Sequence, residues 1–115
     1  MRFDPAVQVY LAVGATDMRK AINGLSMLVQ QQMGKDPFGG HYFAFSNRRR
    51  TLVKVLYWDR NGFCLWQKRL EKHRFPWPRN DERARCEIDT EKLRLLLEGI
   101  DFWSAHQELS YSRVS

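Results

Sequence analysis

Two runs with strand character, Leu52 to Asp59 and Phe63 to Leu70, meet at Asp59-Arg60-Asn61-Gly62. Asn-Gly readily takes the positive φ angles that a tight hairpin requires, so the two runs should be antiparallel neighbours joined by a short turn. Charged residues lie on both arms and on the tip. A chain built around this hairpin is organised on a largely antiparallel sheet, and its other elements must cover that sheet.

Upstream, Val7, Val9, Leu11 and Val13 alternate with Gln8, Tyr10 and Ala12, the period-two pattern of a strand. Gly14-Ala15 breaks it. Thr16 or Asp17 is placed to cap a helix, in which Met18, Ala21, Ile22, Leu25, Leu28 and Val29 recur at helical spacing to about Met33. Gly34 is its stop, and Asp36-Pro37 and Gly39-Gly40 form the following loop. Gly24 inside this helix costs about 1 kcal/mol relative to Ala, which suggests that another element passes close by. His41 to Ser46 is a second strand, joined to the hairpin by Asn47-Arg48-Arg49-Arg50-Thr51.

Downstream, Phe75-Pro76-Trp77-Pro78 is extended, because each proline fixes φ and disfavours helix before it. Arg79 to Arg85 is a polar, mobile loop, and Cys86 to Ile88 a short edge strand. Asp89 or Thr90 caps a second helix with Leu93, Leu96, Leu97 and Ile100 on one face, ending at or just before Gly99. The order β-α-β-β-β-(β)-α predicts one α+β domain over residues 1–103. It has a mainly antiparallel sheet of four to five strands, and two helices cover one face. Only the first β-α-β unit can be a parallel crossover. Residues 104–115 show no period and are expected to fray.

Charge is distributed unevenly. Ser46 to Arg85 holds 12 basic residues against 4 acidic ones, whereas the rest of the chain holds 7 basic and 9 acidic. The same stretch carries Tyr57, Trp58, Phe63, Trp66, Phe75 and Trp77. Cations that pair with phosphates and release counterions, interleaved with rings that stack on bases, suit a polyanion-binding surface. The plainer alternative is a solvated charged face around an ordinary β core. On the strand that ends at Leu70, Lys68 and Leu70 share a face opposite Arg69, so at least one basic row faces water or phosphate. Arg19 and Lys20 offer a second patch: at a helix start they could join free amides in an anion site, although cations there are otherwise unfavourable.

The residues that catalysis would need are missing in pattern. A nuclease or strand-transfer enzyme needs two or three converging carboxylates to hold metal ions. Here Asp17 and Asp89 suit helix caps, Asp59 a turn, and Asp36 precedes a proline; only Asp59 with Asp36 or Glu71 could approach in space. His41, His73 and His106 are far apart in sequence, and His73 between Lys72 and Arg74 suits a solvated surface. Cys64 and Cys86 have neither disulfide-framework nor zinc spacing. No enzyme activity, metal or cofactor is expected. Asp4 and Pro5 interrupt any signal-peptide apolar region, and no stretch is long and apolar enough to span a bilayer. A cytoplasmic protein without a membrane partner is therefore expected.

Several segments, in order and over nearly the whole chain, resemble one family. They begin with Gly14-Ala15-Thr16-Asp17-Met18-Arg19-Lys20, Gly24-Leu25, Asp36-Pro37 with Gly40, and Phe43-Ala44-Phe45. They continue with Asn47-Arg48-Arg49-Arg50, Lys54, Trp58-Asp59 with Gly62-Phe63, and Lys68-Arg69-Leu70-Glu71. Arg74-Phe75, Trp77-Pro78 and Leu96-Leu97-Glu98-Gly99-Ile100-Asp101 complete the set. The resemblance is to the TnpB-type, Orf2-like accessory proteins of bacterial insertion-sequence family sixty-six. Ala21 stands where a glycine often follows the Arg-Lys pair, and His73 where glycine often precedes Arg-Phe. The resemblance implies a protein encoded beside a separate, larger DDE transposase, needed for efficient transposition without performing the strand chemistry.

Two expectations follow. In the first, a non-catalytic factor binds DNA with weak sequence preference. Arg48, Arg49, Arg50, Lys54, Arg60, Lys68, Arg69, Lys72 and Arg74 contact phosphates, and Arg19 and Lys20 form a possible second patch. In the second, the chain is a protein-interaction module that docks on the transposase or another element-encoded protein. Trp58, Trp66 and Trp77 serve either reading as stacking or interface residues, the alternative being core or lid packing.

Overall fold

The computed structural model describes residues 1–79 and 84–103. Five strands, β1 (Gln8–Ala12), β2 (Tyr42–Ser46), β3 (Leu52–Asp59), β4 (Gly62–Arg69) and β5 (Arg85–Asp89), and two helices, α1 (Ile22–Gln31) and α2 (Thr90–Leu97), run in the order β1-α1-β2-β3-β4-β5-α2. They form one sheet ordered β4-β3-β2-β1-β5. β1 and β2 are parallel, as their connection through α1 allows, and every other neighbouring pair is antiparallel. The α+β class and the element order agree with the sequence pattern. The expected frayed tail and most of the expected mobile loop fall on 104–115 and 80–83, outside the described residues.

The helices do not share a face, contrary to expectation. β2 is buried along its whole length, so its alternate residues need two covers. Tyr42 and Ala44 point to one side, where they join Val9, Leu11, Val53, Val55 and Ile88 under Leu93, Leu96 and Leu97 of α2. Phe43 and Phe45 point to the other, where they join Tyr10 and Leu56 under Leu25 and Val29 of α1 and Met33 just beyond it. Each of these fully buried aliphatic side chains stabilises the fold by roughly 1.5–3 kcal/mol.

Local chemistry explains where the helices start. Asp89 caps α2, its Oδ1 accepting from the Lys92 amide at 2.7 Å, and Gly99 closes it at φ 83°. α1 starts later than its periodicity suggests, with Ala21 as an N-cap that offers no side-chain acceptor. Asp17 instead organises a separate turn: its carbonyl accepts from Lys20 N–H and its carboxylate from Arg19 N–H. Gly24 makes room for the side chain of Lys20, whose Cβ and Cγ would lie 3.2 Å from an added Cβ, and not for a distant element.

Both hairpins around β3 form. In the β3–β4 turn the left-handed residue is Arg60 (φ 54°) and not the Asn-Gly pair. In the β2–β3 turn Asn47 does the organising: its Oδ1 accepts from Thr51 N–H at 2.9 Å and Leu52 N–H at 3.2 Å, and Arg50 closes the turn at φ 59°. The proline-bound strap Phe75–Trp77 then crosses the α2 side of the sheet. Phe75 N–H donates to Arg50 O at 2.7 Å, and Trp77 Nε1 donates to Ala12 O at 2.8 Å.

Candidate functional site

β3 is eight residues long, so its two turns are separated by about 24 Å at the usual strand rise. That distance sorts the basic residues. Arg48 and Arg49 stand exposed at the tip of the β2–β3 turn. The loop of residues 71–74 is tied to the same end, because Leu70 N–H donates to Thr51 O and Phe75 N–H to Arg50 O. Lys72 and Arg74 are exposed on it. Exposed Arg79 follows the strap, between Trp77 at the end of β1 and Ala84, whose carbonyl accepts from Val13 N–H. Among the described residues none of these five cations has a carboxylate partner within ion-pair distance. Arg79 belongs to the basic stretch, but nothing in the sequence marks it as a contact; the return of the strap to β1 brings it to this end.

The other expected phosphate contacts separate from this group. Arg60 lies at the opposite end of β3. Arg69 is exposed but pairs with Glu71 at 3.1 Å, and Arg19 with Asp17 at 2.7 Å. The Arg19 guanidinium holds the Asp17 carboxyl far below the usual carboxylate range. Arg19 and Lys20 precede a helix that begins only at Ile22, so they lie before its N-cap and not within its first turn. Lys54 and Lys68 turn inward. Lys54 Nζ donates to Met18 O at 2.8 Å and Lys20 O at 2.9 Å beneath the segment leading into α1. Lys68 Nζ donates at 2.8 Å to Leu97 O, a carbonyl at the negative end of α2. Each ammonium serves as an internal donor, and its position on a strand face between apolar neighbours was the available signal.

Arg50 is a clamp. Its guanidinium donates to Val13 O at 2.9 Å and Asn47 O at 3.3 Å and lies 5.5 Å from the Trp77 ring centre. Burial pushes its pKa down, and among the described residues no carboxylate neutralises it. With Gly14, Ala15 and Arg48 it lines an open recess of about 440 Å³ at the basic end.

The tryptophans divide as well. Trp77 is buried in the core with its indole N–H satisfied, and Trp66 packs against the same cluster. Trp77 therefore serves the core, and Trp66 remains half-buried at its edge. Trp58 takes the α1 face, opposite Tyr57, and both are half-buried. Trp58 joins Phe63 and the 52% exposed Phe38, with ring centres 5.0–5.1 Å apart, at the Arg60 end. On α2, Arg94 is held by Glu91 and Glu98, so that helix presents few free cations. Among the described residues no three His, Cys, Asp or Glu side chains group as metal ligands, and no helix is long and apolar enough to cross a membrane.

The family model for the IS66 Orf2 like protein matches residues 7–107. Two proteins of Sinorhizobium fredii (strain NBRC 101917 / NGR234) are similar to the chain. "Uncharacterized protein y4hO" is 40% identical over 102 residues, 89% of this chain and 87% of that protein. "Uncharacterized protein y4jC" is 31% identical over 96 residues, covering 84% and 81%. No solved structure matches.

Proposed function

Because the chain belongs to the IS66 Orf2-like family, we propose that it is a non-catalytic accessory protein of insertion-sequence transposition that grips DNA by its phosphates. Family membership supports the transposition role. The observation that carries the DNA reading is the gathering of Arg48, Arg49, Lys72, Arg74 and Arg79 on one exposed end of the sheet without carboxylate partners among the described residues. Phosphate contacts position a protein without reading bases, and neither helix presents a row of free cations to a groove. Sequence preference is therefore weak, and site choice falls to the separate DDE transposase. The protein works in the cytoplasm, on the element's DNA.

Salt dependence tests this reading. Five engaged phosphates give a slope of log affinity against log salt of about −4.5 on duplex DNA, roughly a 500-fold loss between 50 and 200 mM. Replacing Arg48 and Arg49 by Gln should flatten the slope by about 2, whereas Arg60→Gln at the other end should leave it unchanged. A salt-independent affinity, or equal effects at both ends, refutes it.

One observation favours a second role beside the first. The half-exposed Phe38–Trp58–Phe63 cluster lies at the end remote from the cations and is shaped like an aromatic anchor for a protein partner. The DDE transposase is the partner this reading names. Co-purification that survives nuclease treatment and the Arg48/Arg49 substitutions, but is lost in Trp58→Ala, is the expected result.

A further inference from the structure

The recess at the basic end contains an imbalance that backbone contacts do not remove. Arg50 is half-buried in its wall, and the two acceptors of its guanidinium, Val13 O and Asn47 O, are neutral carbonyls. A cation withdrawn from water is tolerated best beside an opposite charge, and among the described residues no carboxylate stands there. Arg48, on the same rim, adds a second guanidinium without a carboxylate partner among the described residues. The opposite lip is Gly14-Ala15, whose backbone N–H groups find no acceptor among the described residues, although Val13 N–H and Thr16 N–H on either side do. Two guanidinium groups and two spare amide donors around one open hollow are the donors an oxyanion needs.

We propose that the hollow between Gly14-Ala15 and Arg48-Arg50 seats one phosphate group, which acts as a counter-ion of Arg50. The proposal deepens the DNA-binding reading and rests on it for the origin of the phosphate. That phosphate is either an internal diester of the backbone or the terminal monoester of a DNA end. The remaining cations then follow the strand away from this fixed point.

Gly14 allows a clean test. Its φ is not left-handed and nothing lies within 4 Å of an added Cβ, so Gly14→Asp brings a carboxylate to the lip without a clash, and Gly14→Asn is its neutral control. Inorganic phosphate is titrated into the whole protein at constant ionic strength while backbone amide signals are followed by NMR. Saturable shifts at Gly14 and Ala15, absent at Arg60 and Asn61, are expected. Binding should be at least tenfold weaker in Gly14→Asp than in Gly14→Asn, and also weaker in Arg48→Gln, which leaves the Arg50 clamp intact. Equal affinity in Gly14→Asp and Gly14→Asn, or shifts of the same size at both ends of β3, overturns the seat.

Short duplexes with 5′-phosphate or 5′-hydroxyl ends separate the two sources. Tighter binding of the phosphorylated duplex assigns the seat to a terminus, and equal binding through the same amides assigns it to the backbone. A protein that keeps its steep salt slope on duplex DNA but shows no phosphate site at Gly14-Ala15 loses the seat and keeps the DNA reading. A protein that seats phosphate but ignores duplex DNA does the reverse.

Discussion

Lys54→Met is the most informative change to the fold. Lys54 looks like a DNA contact in the sequence and is an internal donor in the structure, so its removal should act on stability. Its ammonium makes two hydrogen bonds, at 2.8 and 2.9 Å, to the carbonyls of Met18 and Lys20. In a helix continued upstream those carbonyls would accept from Ile22 and Gly24; here they face Lys54, and α1 starts at Ile22. Hydrogen bonds with a charged partner contribute about 1.5–3 kcal/mol each. Methionine keeps the length of the side chain and removes the donor. Lys20 is exposed, so water can replace one bond, and the net cost should be about 2–3 kcal/mol. For a domain of this size that lowers Tm by roughly 10 °C. Urea and thermal unfolding measure the loss. Hydrogen exchange at the Lys20 amide, which donates to Asp17 O at 3.1 Å, reports whether the segment before α1 loosens first. Unchanged stability with full protection at Lys20 would refute the assignment of Lys54 as a structural donor.

Three further outcomes follow from the backbone and the buried phenols. His73 holds φ 67°, a costly conformation for an exposed side chain that makes no hydrogen bond among the described residues, so His73→Gly should stabilise by about 0.5–1 kcal/mol in urea titrations after glycine's extra unfolded entropy is subtracted. Ala21 is an N-cap without an acceptor, so Ala21→Ser should add about 1 kcal/mol, and Ala21→Gly somewhat less. Burial raises the pKa of Tyr42 and Tyr57 above 10.0. A folded pKa above the unfolded one gives stability that is complete below pH 10 and lost as pH rises through the folded values. Tyrosinate absorbance should therefore lag behind free tyrosine and rise together with loss of the circular dichroism signal. Half-ionisation of both phenols at pH 10 in a native fold, as for free tyrosine, would contradict this.

The elements were more legible than their surroundings. Asp89 and Gly99 mark α2 because capping is local chemistry, and the Arg60-Asn61 hairpin follows from turn preference even though the strained φ falls on Arg60. The placement of the helices on two faces was readable in Tyr42-Phe43-Ala44-Phe45, apolar at both parities, once that strand is known to be central. The inward turn of Lys54 and Lys68 was obscured because charge on a strand was equated with solvent. Parity along β3 sets Lys54 with Leu56 on the face under α1, but its carbonyl partners come from residues 34 and 36 positions away. The segregation of Arg60 from Arg48 and Arg49 needed only the length of β3. The Arg50 clamp was not readable, since Val13, Asn47 and Trp77 meet only in the finished fold.

β1 lies between β2 and β5, with Val9 opposite Tyr42 on one side and Ile88 on the other. During synthesis the ribosome delivers one flank of that strand, Tyr42–Ser46, well before the other, Arg85–Asp89. Until then a nascent chain exposes the open side of Gln8–Ala12 to any extended peptide nearby, and the docking of β5 is the step that ends this exposure.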